Sequence, residues 1–472
     1  MTTIASAPGK VLLTGGYLVL EQQFSGLVVG TSARFYTVIR PQTDLTAGTI
    51  TVNSPQFEQA LWNYKAIVTQ HKLQFDSITE SRNKFVETCL KYTLQVILER
   101  SNPSLVQQKL SHGIDITIVG DNDFYSQRAQ LESKQLENTA EALNSLDPFC
   151  KTHATLSTVH KTGLGSSAAL TTSLVAALLL HFQVVSNQFT DPEKKLIHNV
   201  AQFVHCLAQG KVGSGFDVSS AVWGSHQYKR FRPDILTPIM DENVDQKLLS
   251  SSVDADNLNW DNKVVPFQLP PGFDLMLADI DAGSHTPTLV GKVLHWKKTK
   301  PEESTLLWTQ LGQFNLLVEQ HFRELSRLYT QDSTDYNQTI ERCSQLKSSD
   351  WHQQVQGKVA EEMVSLVNAF NKVRSLLQKM TELSQVPVEP QEQTRLLDAC
   401  TDIPGVAMAG VPGAGGYDAI FCIVLSNRSK HLVRKVWESW KELSVGPLLS
   451  HADSNGVTSV SLASVPGLSD IL

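Results

Sequence analysis

Between residues 10 and 40 the chain reads KVLLTGGYLVLEQQFSGLVVGTSARFYTVIR, short β-branched and apolar runs broken by glycine. That pattern predicts consecutive strands. A further strand is expected at Gly113–Gly120, running into the turn-rich, aromatic loop Asp121–Gln127. Residues 128 to 147 are polar and rich in Glu and Gln, which predicts an exposed excursion. At 166 the pattern changes to an alanine- and leucine-rich run, interrupted only by Thr171, Thr172 and Ser173, the signature of a buried helix. A second helix is expected over Glu193–Gln209, where His198, Gln202, His205 and Gln209 are spaced 4, 3 and 4 and share one face. It stops at GKVGSG, where three glycines in six residues forbid continuation.

The second half is patterned differently. Long helices are expected at about 303–329 and 355–384. In the latter, Val359, Met363, Leu366, Phe370, Val373, Leu377 and Met380 recur at alternating spacings of 4 and 3. A coiled coil would show that repeat, but it lasts only about three heptads, which favours a helix pair packed within a domain. Strand-like runs lie at Phe273–Ile280, Gly405–Ala409, Ala419–Leu425 and Val457–Ser461. Strands and helices in separate blocks predict an α+β fold rather than a doubly wound sheet. A length of 472 residues predicts two domains, divided near residue 228 into 1–228 and 229–472.

Composition narrows the function. The chain is 41% apolar and 18% charged, with a net charge of -7. An acidic balance argues against a nucleic-acid partner, for which a basic stripe is expected. The six cysteines are scattered without a CxxC pair, which predicts reduced, mostly buried thiols. The N-terminus MTTIASAPGK lacks the blocks of a signal peptide, and the longest apolar run falls short of the roughly 20 residues of a membrane span. The expectation is a cytoplasmic protein with no membrane partner, monomeric or homodimeric.

Three glycine loops carry the candidate chemistry. The first, Lys161-Thr-Gly-Leu-Gly-Ser-Ser-Ala-Ala169, opens the buried helix. A helix start leaves unpaired N–H groups and a partial positive charge, so it favours an anion. The loop fits a loose G-x-G-x-x-A dinucleotide pattern, but QVVSNQFTD downstream provides no clean second strand with its carboxylate. The pattern G-x-x-x-x-G-K-[ST] is absent. A plain tight turn remains the alternative. The second loop, Gly210-Lys-Val-Gly-Ser-Gly-Phe-Asp217, and the third, Gly410-Val-Pro-Gly-Ala-Gly-Gly-Tyr-Asp418, weigh against it. With Lys10, Lys161, Lys211 and Asp217 beside them, they predict a site for a phosphorylated ligand. Phosphoryl transfer needs cations, a positioned acceptor and oxygen ligands for Mg²⁺. The lysines could supply the first, Asp217 the second, and Ser166 or Ser167 the third. Asp217 read alone is equally a cap or turn carboxylate. His198 and His205 could suggest a metal, but no third ligand sits at useful spacing.

APGK with LLTGGYLVLE, then KTGLGSSAAL, GSGFDVSSAVWG and GVPGAGGYDAI occur in the order of the three motifs of the GHMP kinase superfamily, which the chain resembles. GGYLVLE, DNDFYSQ, LAQGKVGSGFDV and Asp281-Ala-Gly-Ser-His-Thr286 resemble the phosphomevalonate kinases within it. The resemblance spans residues 5 to about 425. It implies a ribosomal-S5-like N-terminal domain and a ferredoxin-like C-terminal domain with ATP between them. It further implies transfer of the ATP γ-phosphate to 5-phosphomevalonate, with Mg²⁺. Lys10, Lys161 and Asp217 are then the catalytic candidates, and Thr162, Gly163, Leu164, Gly165, Ser166, Ser167, Ala168 and Ala169 bind ATP. Lys10, Lys211, Ser214, Ser284, Thr286 and Gly415 contact the acceptor, and Ser167 holds the metal. One departure stands out: His205–Gln209 lacks the glutamate that mevalonate kinases use for Mg²⁺. A mevalonate kinase-like enzyme and a non-catalytic nucleotide sensor of the same fold are the alternatives.

Overall fold

The computed structural model describes residues 2–42, 46–69, 71–280 and 286–472. The first sheet grows from two long strands, β1 (Thr3–Thr14) and β2 (Gly26–Pro41), paired antiparallel. It continues through β3 (Thr49–Asn53), β4 (Leu61–Thr69), β5 (Lys72–Ser77) and β6 (Ile114–Gly120). Strands β7 (His226–Lys229) and β8 (Lys263–Pro266) form a ribbon beside β2. A second sheet is built from β9 (Asp274–Ile280), β10 (Val406–Gly410), β11 (Ala419–Val424) and β12 (Val445–Leu448). A last short strand, β13 (Thr458–Ser459), returns to pair with β1. Among the described residues the first sheet has nine strands, with its main path in the order β13-β1-β2-β6-β3-β4-β5.

The helix Ser166–His181 lies across β1 and β2 with nearly every side chain buried. Leu174, Val175, Leu178 and Leu179 are fully removed from water, each worth about 1.5–3 kcal/mol. Helices Lys84–Arg100, Asp191–Gln209 and Phe216–Trp223 pack around it. The second sheet is antiparallel in the order β10-β11-β9-β12. Counted from β9, its strands run 2-3-1-4 with helices after the first and third, the split βαβ of a ferredoxin-like domain. The helices Pro301–Gln331 and Lys358–Ser384 form the expected packed pair beside it. The fold is α+β.

The first sheet does not end at residue 228. It reaches Pro266 through β8 and is completed by the C-terminal segment. That segment is held by Arg34, whose Nη2 donates to the Gly456 carbonyl at 2.6 Å and to Thr458 Oγ1 at 3.2 Å. Asp123 accepts from the backbone and hydroxyl of Ser450. The stretch 128–147 is only partly an excursion: Leu131, Leu143 and Leu146 form a small buried cluster.

The helical face of His198, Gln202 and His205 is also buried. His198 lies 4.6 Å from the Trp223 ring and 5.5 Å from that of Trp260. Burial pushes His181, His198 and His226 each down to about 4. Below the ordinary value near 6.5 the unfolded chain takes up protons that the folded chain refuses until about pH 4. Stability is therefore full above pH 6.5 and falls as pH drops toward 4. Thermal unfolding midpoints measured from pH 8 to 4.5 are expected to be flat and then decline steeply, and His181→Gln is expected to make the decline shallower.

Candidate functional site

The site begins with an irregularity in β1. Register against β2 shifts between Pro8 and Lys10, and a side chain at Gly9 would come within 2.8 Å of Thr31 Oγ1 and 3.0 Å of the Leu164 carbonyl. The bulge frees the Lys10 amide, which donates to the Leu164 carbonyl at 2.9 Å. The Lys10 ammonium donates to the Gly163 carbonyl at 2.8 Å. One residue thus holds the phosphate loop twice, by main chain and by side chain. Lys10 also lies 5.5 Å from the centre of the Phe216 ring. Burial pushes its ammonium below the usual lysine range, while the charges of Asp217 and Asp418 pull it back up.

The loop is shaped by Gly163 and Gly165, at φ 79° and 81°. Gly165 caps the helix Ser166–His181 without a side-chain hydrogen bond, so the first N–H groups of the helix are presented at the loop. Leu164, Ala168 and Ala169 bury their side chains in the core; what they can offer a ligand is backbone. Thr162 is buried, its hydroxyl donating to the Asp123 carbonyl at 2.5 Å. Ser167 Oγ lies 3.1 Å from His205 Nε2. The same nitrogen is 3.2 Å from the Gln209 amide and 3.9 Å from Asp217 Oδ2. Asp217 sits in the first turn of Phe216–Trp223, after Gly215 at φ 83°, and its Oδ1 accepts from the Val218 amide at 2.9 Å.

The third glycine loop meets the first strand. Gly413 N donates to the Leu12 carbonyl at 3.1 Å, and a Cβ on Gly16 would lie 1.9 Å from the Gly413 carbonyl oxygen. A Cβ on Gly415 (φ 69°) would lie 2.0 Å from the Val388 carbonyl oxygen. The loop ends at Asp418, the second carboxylate beside Lys10.

Beside the phosphate loop opens a cavity of about 450 Å³ whose walls include Trp62, Asn83, Phe85, Lys161, Ser166 and Ser167. Its size suits a small-molecule cofactor. Asn83 caps the helix Lys84–Arg100 through the amides of Phe85 and Val86. Lys161 bridges to Tyr125 in a short antiparallel pairing, and burial pushes its ammonium down.

Lys10, Thr162–Ala169, Asp217 and the Gly415 loop therefore converge. Lys161 stands on the cavity side of the loop. Lys211 is exposed. Ser214 is engaged through its carbonyl, which accepts from Tyr228 Oη at 2.9 Å. Ser284 lies outside the described residues, and Thr286 opens the helix Thr286–Thr299. Sequence reading missed Asp418, although Gly-Gly-Tyr-Asp418 mirrors Ser-Gly-Phe-Asp217. It treated His205 as part of a polar helix face, and it did not single out Tyr17 or the cavity walls Trp62, Asn83 and Phe85.

The profile of the family described as GHMP kinases N terminal domain matches residues 135–225, and the fold is that of a GHMP kinase. A solved structure of similar fold is Streptococcus pneumoniae phosphomevalonate kinase in complex with phosphomevalonate and AMPPNP. It has a TM-score of 0.57 at 14% identity, covering 95% of this chain and 99% of that one. The peroxisomal phosphomevalonate kinase of Arabidopsis thaliana is 40% identical over 97% of this chain and 96% of its own length. The phosphomevalonate kinase of Candida albicans is 35% identical over 93% of each. The chain belongs to the phosphomevalonate kinase family.

The Arabidopsis relative overturns the cytoplasmic expectation, since it is peroxisomal. The expectation rested on missing apolar blocks, and peroxisomal targeting is read by receptors from short addresses that need none. Among the described residues no helix is long and apolar enough to cross a membrane.

Because Gly16 meets backbone rather than a movable side chain, Gly16→Ala is expected to lower the thermal midpoint and activity together. Gly413→Ala has open space around its Cβ and is expected to cost only about 1 kcal/mol for its positive φ. Unfolding curves of the two variants check the contrast.

Proposed function

We propose that the chain transfers the γ-phosphate of ATP to the phosphate of (R)-5-phosphomevalonate, giving (R)-5-diphosphomevalonate and ADP. The reading rests on family membership, and the observation that carries it in this chain is Lys10. That half-buried cation is fixed to the first glycine loop and flanked by Asp217 and Asp418.

In the transfer the bond between the γ-phosphorus and its bridging oxygen breaks, and an acceptor phosphate oxygen bonds to that phosphorus. Charge spreads over the γ-phosphoryl oxygens. Lys10 offsets it from the phosphate-loop side and Lys161 from the cavity side, where the nucleotide's base is held against Trp62 and Phe85. The first N–H groups of the helix from Ser166 take the triphosphate. The acceptor phosphate has a second pKa of about 6, so it arrives largely ionised and needs no strong base. Asp217 therefore orients the acceptor rather than deprotonating it. The acceptor lies among Lys211, Ser214, Gly415 and the segment containing Ser284 and Thr286.

Among the described residues no three His, Cys, Asp or Glu side chains form a metal-binding group. A hydroxyl at Ser167 and a carboxylate at Asp217, both reached by His205 Nε2, suit Mg²⁺, which keeps waters and shares phosphate oxygens. Ser167 and Asp217 would hold it, and it supplies charge neutralisation on the phosphates. Residues 1–228 supply the nucleotide side and also Lys211, Ser214 and Asp217 of the acceptor side, 229–472 supply the rest of the acceptor side, and β8 and the C-terminal segment return to the first sheet.

A coupled ADP-release assay tests the reaction, with Mg-ATP and either mevalonate or 5-phosphomevalonate. Release with 5-phosphomevalonate alone is expected; release with neither would refute the reaction. Lys10→Ala is expected to lower kcat by roughly 10²–10³. Asp217→Asn is expected to lose less, and complete inactivity of that variant would reinstate a base.

A further inference from the structure

Tyr17 is not glycine, yet its backbone sits at φ 64°, ψ -44°. The Leu18 amide donates to the Gly16 carbonyl at 2.8 Å, closing a three-residue γ-turn of the strained, positive-φ kind. Such a conformation is strained and persists only where its surroundings hold it. The surroundings are unusual. The buried Tyr17 hydroxyl donates to the Ala414 carbonyl, in the third glycine loop, at 2.7 Å. Three residues on, the Leu20 carbonyl accepts from Arg230 Nη1 at 2.6 Å. The other arm of that guanidinium donates to the carbonyls of Val212 at 3.2 Å and Gly213 at 2.6 Å, in the second glycine loop. Next in sequence, Glu21 pairs with Lys297 on the helix that follows the Asp281–Thr286 segment, and Lys297 lies 4.0 Å over the Trp308 ring.

One turn of five residues thus reaches three separate elements. All three belong to the acceptor side of the proposed site, and none of these contacts involves the cavity of Trp62, Asn83 and Lys161. We infer that the Tyr17 turn is the positioning element of the acceptor subsite, setting where the second and third glycine loops and the helix Thr286–Thr299 stand relative to Lys10. Tyr17 is a positioning residue that acts through Ala414 and the loop ending at Asp418. The inference rests on the phosphomevalonate kinase reading for the identity of the acceptor.

The backbone strain is offset by fixing these partners, so removing a single tie should loosen acceptor geometry without touching nucleotide binding. Tyr17→Phe deletes only the hydroxyl and keeps the ring in its buried place. Steady-state kinetics are measured with each substrate varied in turn, alongside thermal unfolding. The expected result is a KM for 5-phosphomevalonate raised about three- to tenfold, the loss of roughly one hydrogen bond. The KM for ATP stays within about twofold. A parallel rise in both values, or a lower unfolding midpoint with both unchanged, would assign Tyr17 a merely structural role and overturn the inference. Glu21→Gln, which weakens the separate tie to Lys297, should show the same split; an ATP-side effect there would also count against it. Wild-type protein that ignores 5-phosphomevalonate would refute the functional reading first and this inference with it.

Discussion

The structure is organised around an ammonium group partly withdrawn from water. Desolvating a lysine is costly unless the charge is matched, and Lys10 is matched from three directions. The Gly163 carbonyl accepts its hydrogen bond, Asp217 and Asp418 supply opposite charge, and the Phe216 ring lies nearby. These partners come from all three glycine loops, with Phe216 and Asp217 both from the helix that the second one starts. The loops are irregular because their carbonyls and carboxylates must face one point, and the glycines permit the positive φ that this demands. The bulge before Lys10 serves the same end, turning a strand amide toward Leu164.

Charge balance at that point also fits the chemistry. Two carboxylates beside one lysine leave the bare site with no surplus of positive charge among these three groups. Anionic ligands would shift that balance, and Lys161, the helix start and a bound divalent ion would offset them. His205 adds no formal charge, since burial holds it below its usual value. It touches Ser167 and approaches Asp217 as a neutral imidazole.

Local pattern made part of this legible. The apolar run after Gly165, the glycine loops and the two long helices are short-range signals, and each appears where periodicity put it. Lys10 and Asp217 could be named because each lies beside a recognisable turn. What stayed hidden depends on contacts far apart in sequence. Asp418 becomes notable only when β11 carries it to Lys10, nearly the whole chain away. Tyr17 reads as an ordinary core aromatic until its φ and its bond to Ala414 are known. His198 and His205 were legible as sharing a face, but helical spacing cannot tell a solvated face from one buried against Trp223 and Trp260. The division near residue 228 likewise missed β8 and the final strand, because strand pairing carries no local mark.

That final strand has a bearing on how the protein is made. Ala452 bridges to Thr31, the residue packed behind Gly9 and the phosphate loop, and Thr458 and Ser459 close the edge of β1. A growing chain is delivered to its surroundings from the N-terminus onward at about 5–20 residues per second. The edge of β1 and the backing of Thr31 therefore stay open through most of synthesis, exposing backbone groups of the kind that pair promiscuously. The glycine loop after Lys161 is made early, but the segment that closes the sheet behind it follows only after the second sheet. The edge of β1 is closed only once Thr458 and Ser459 have been made.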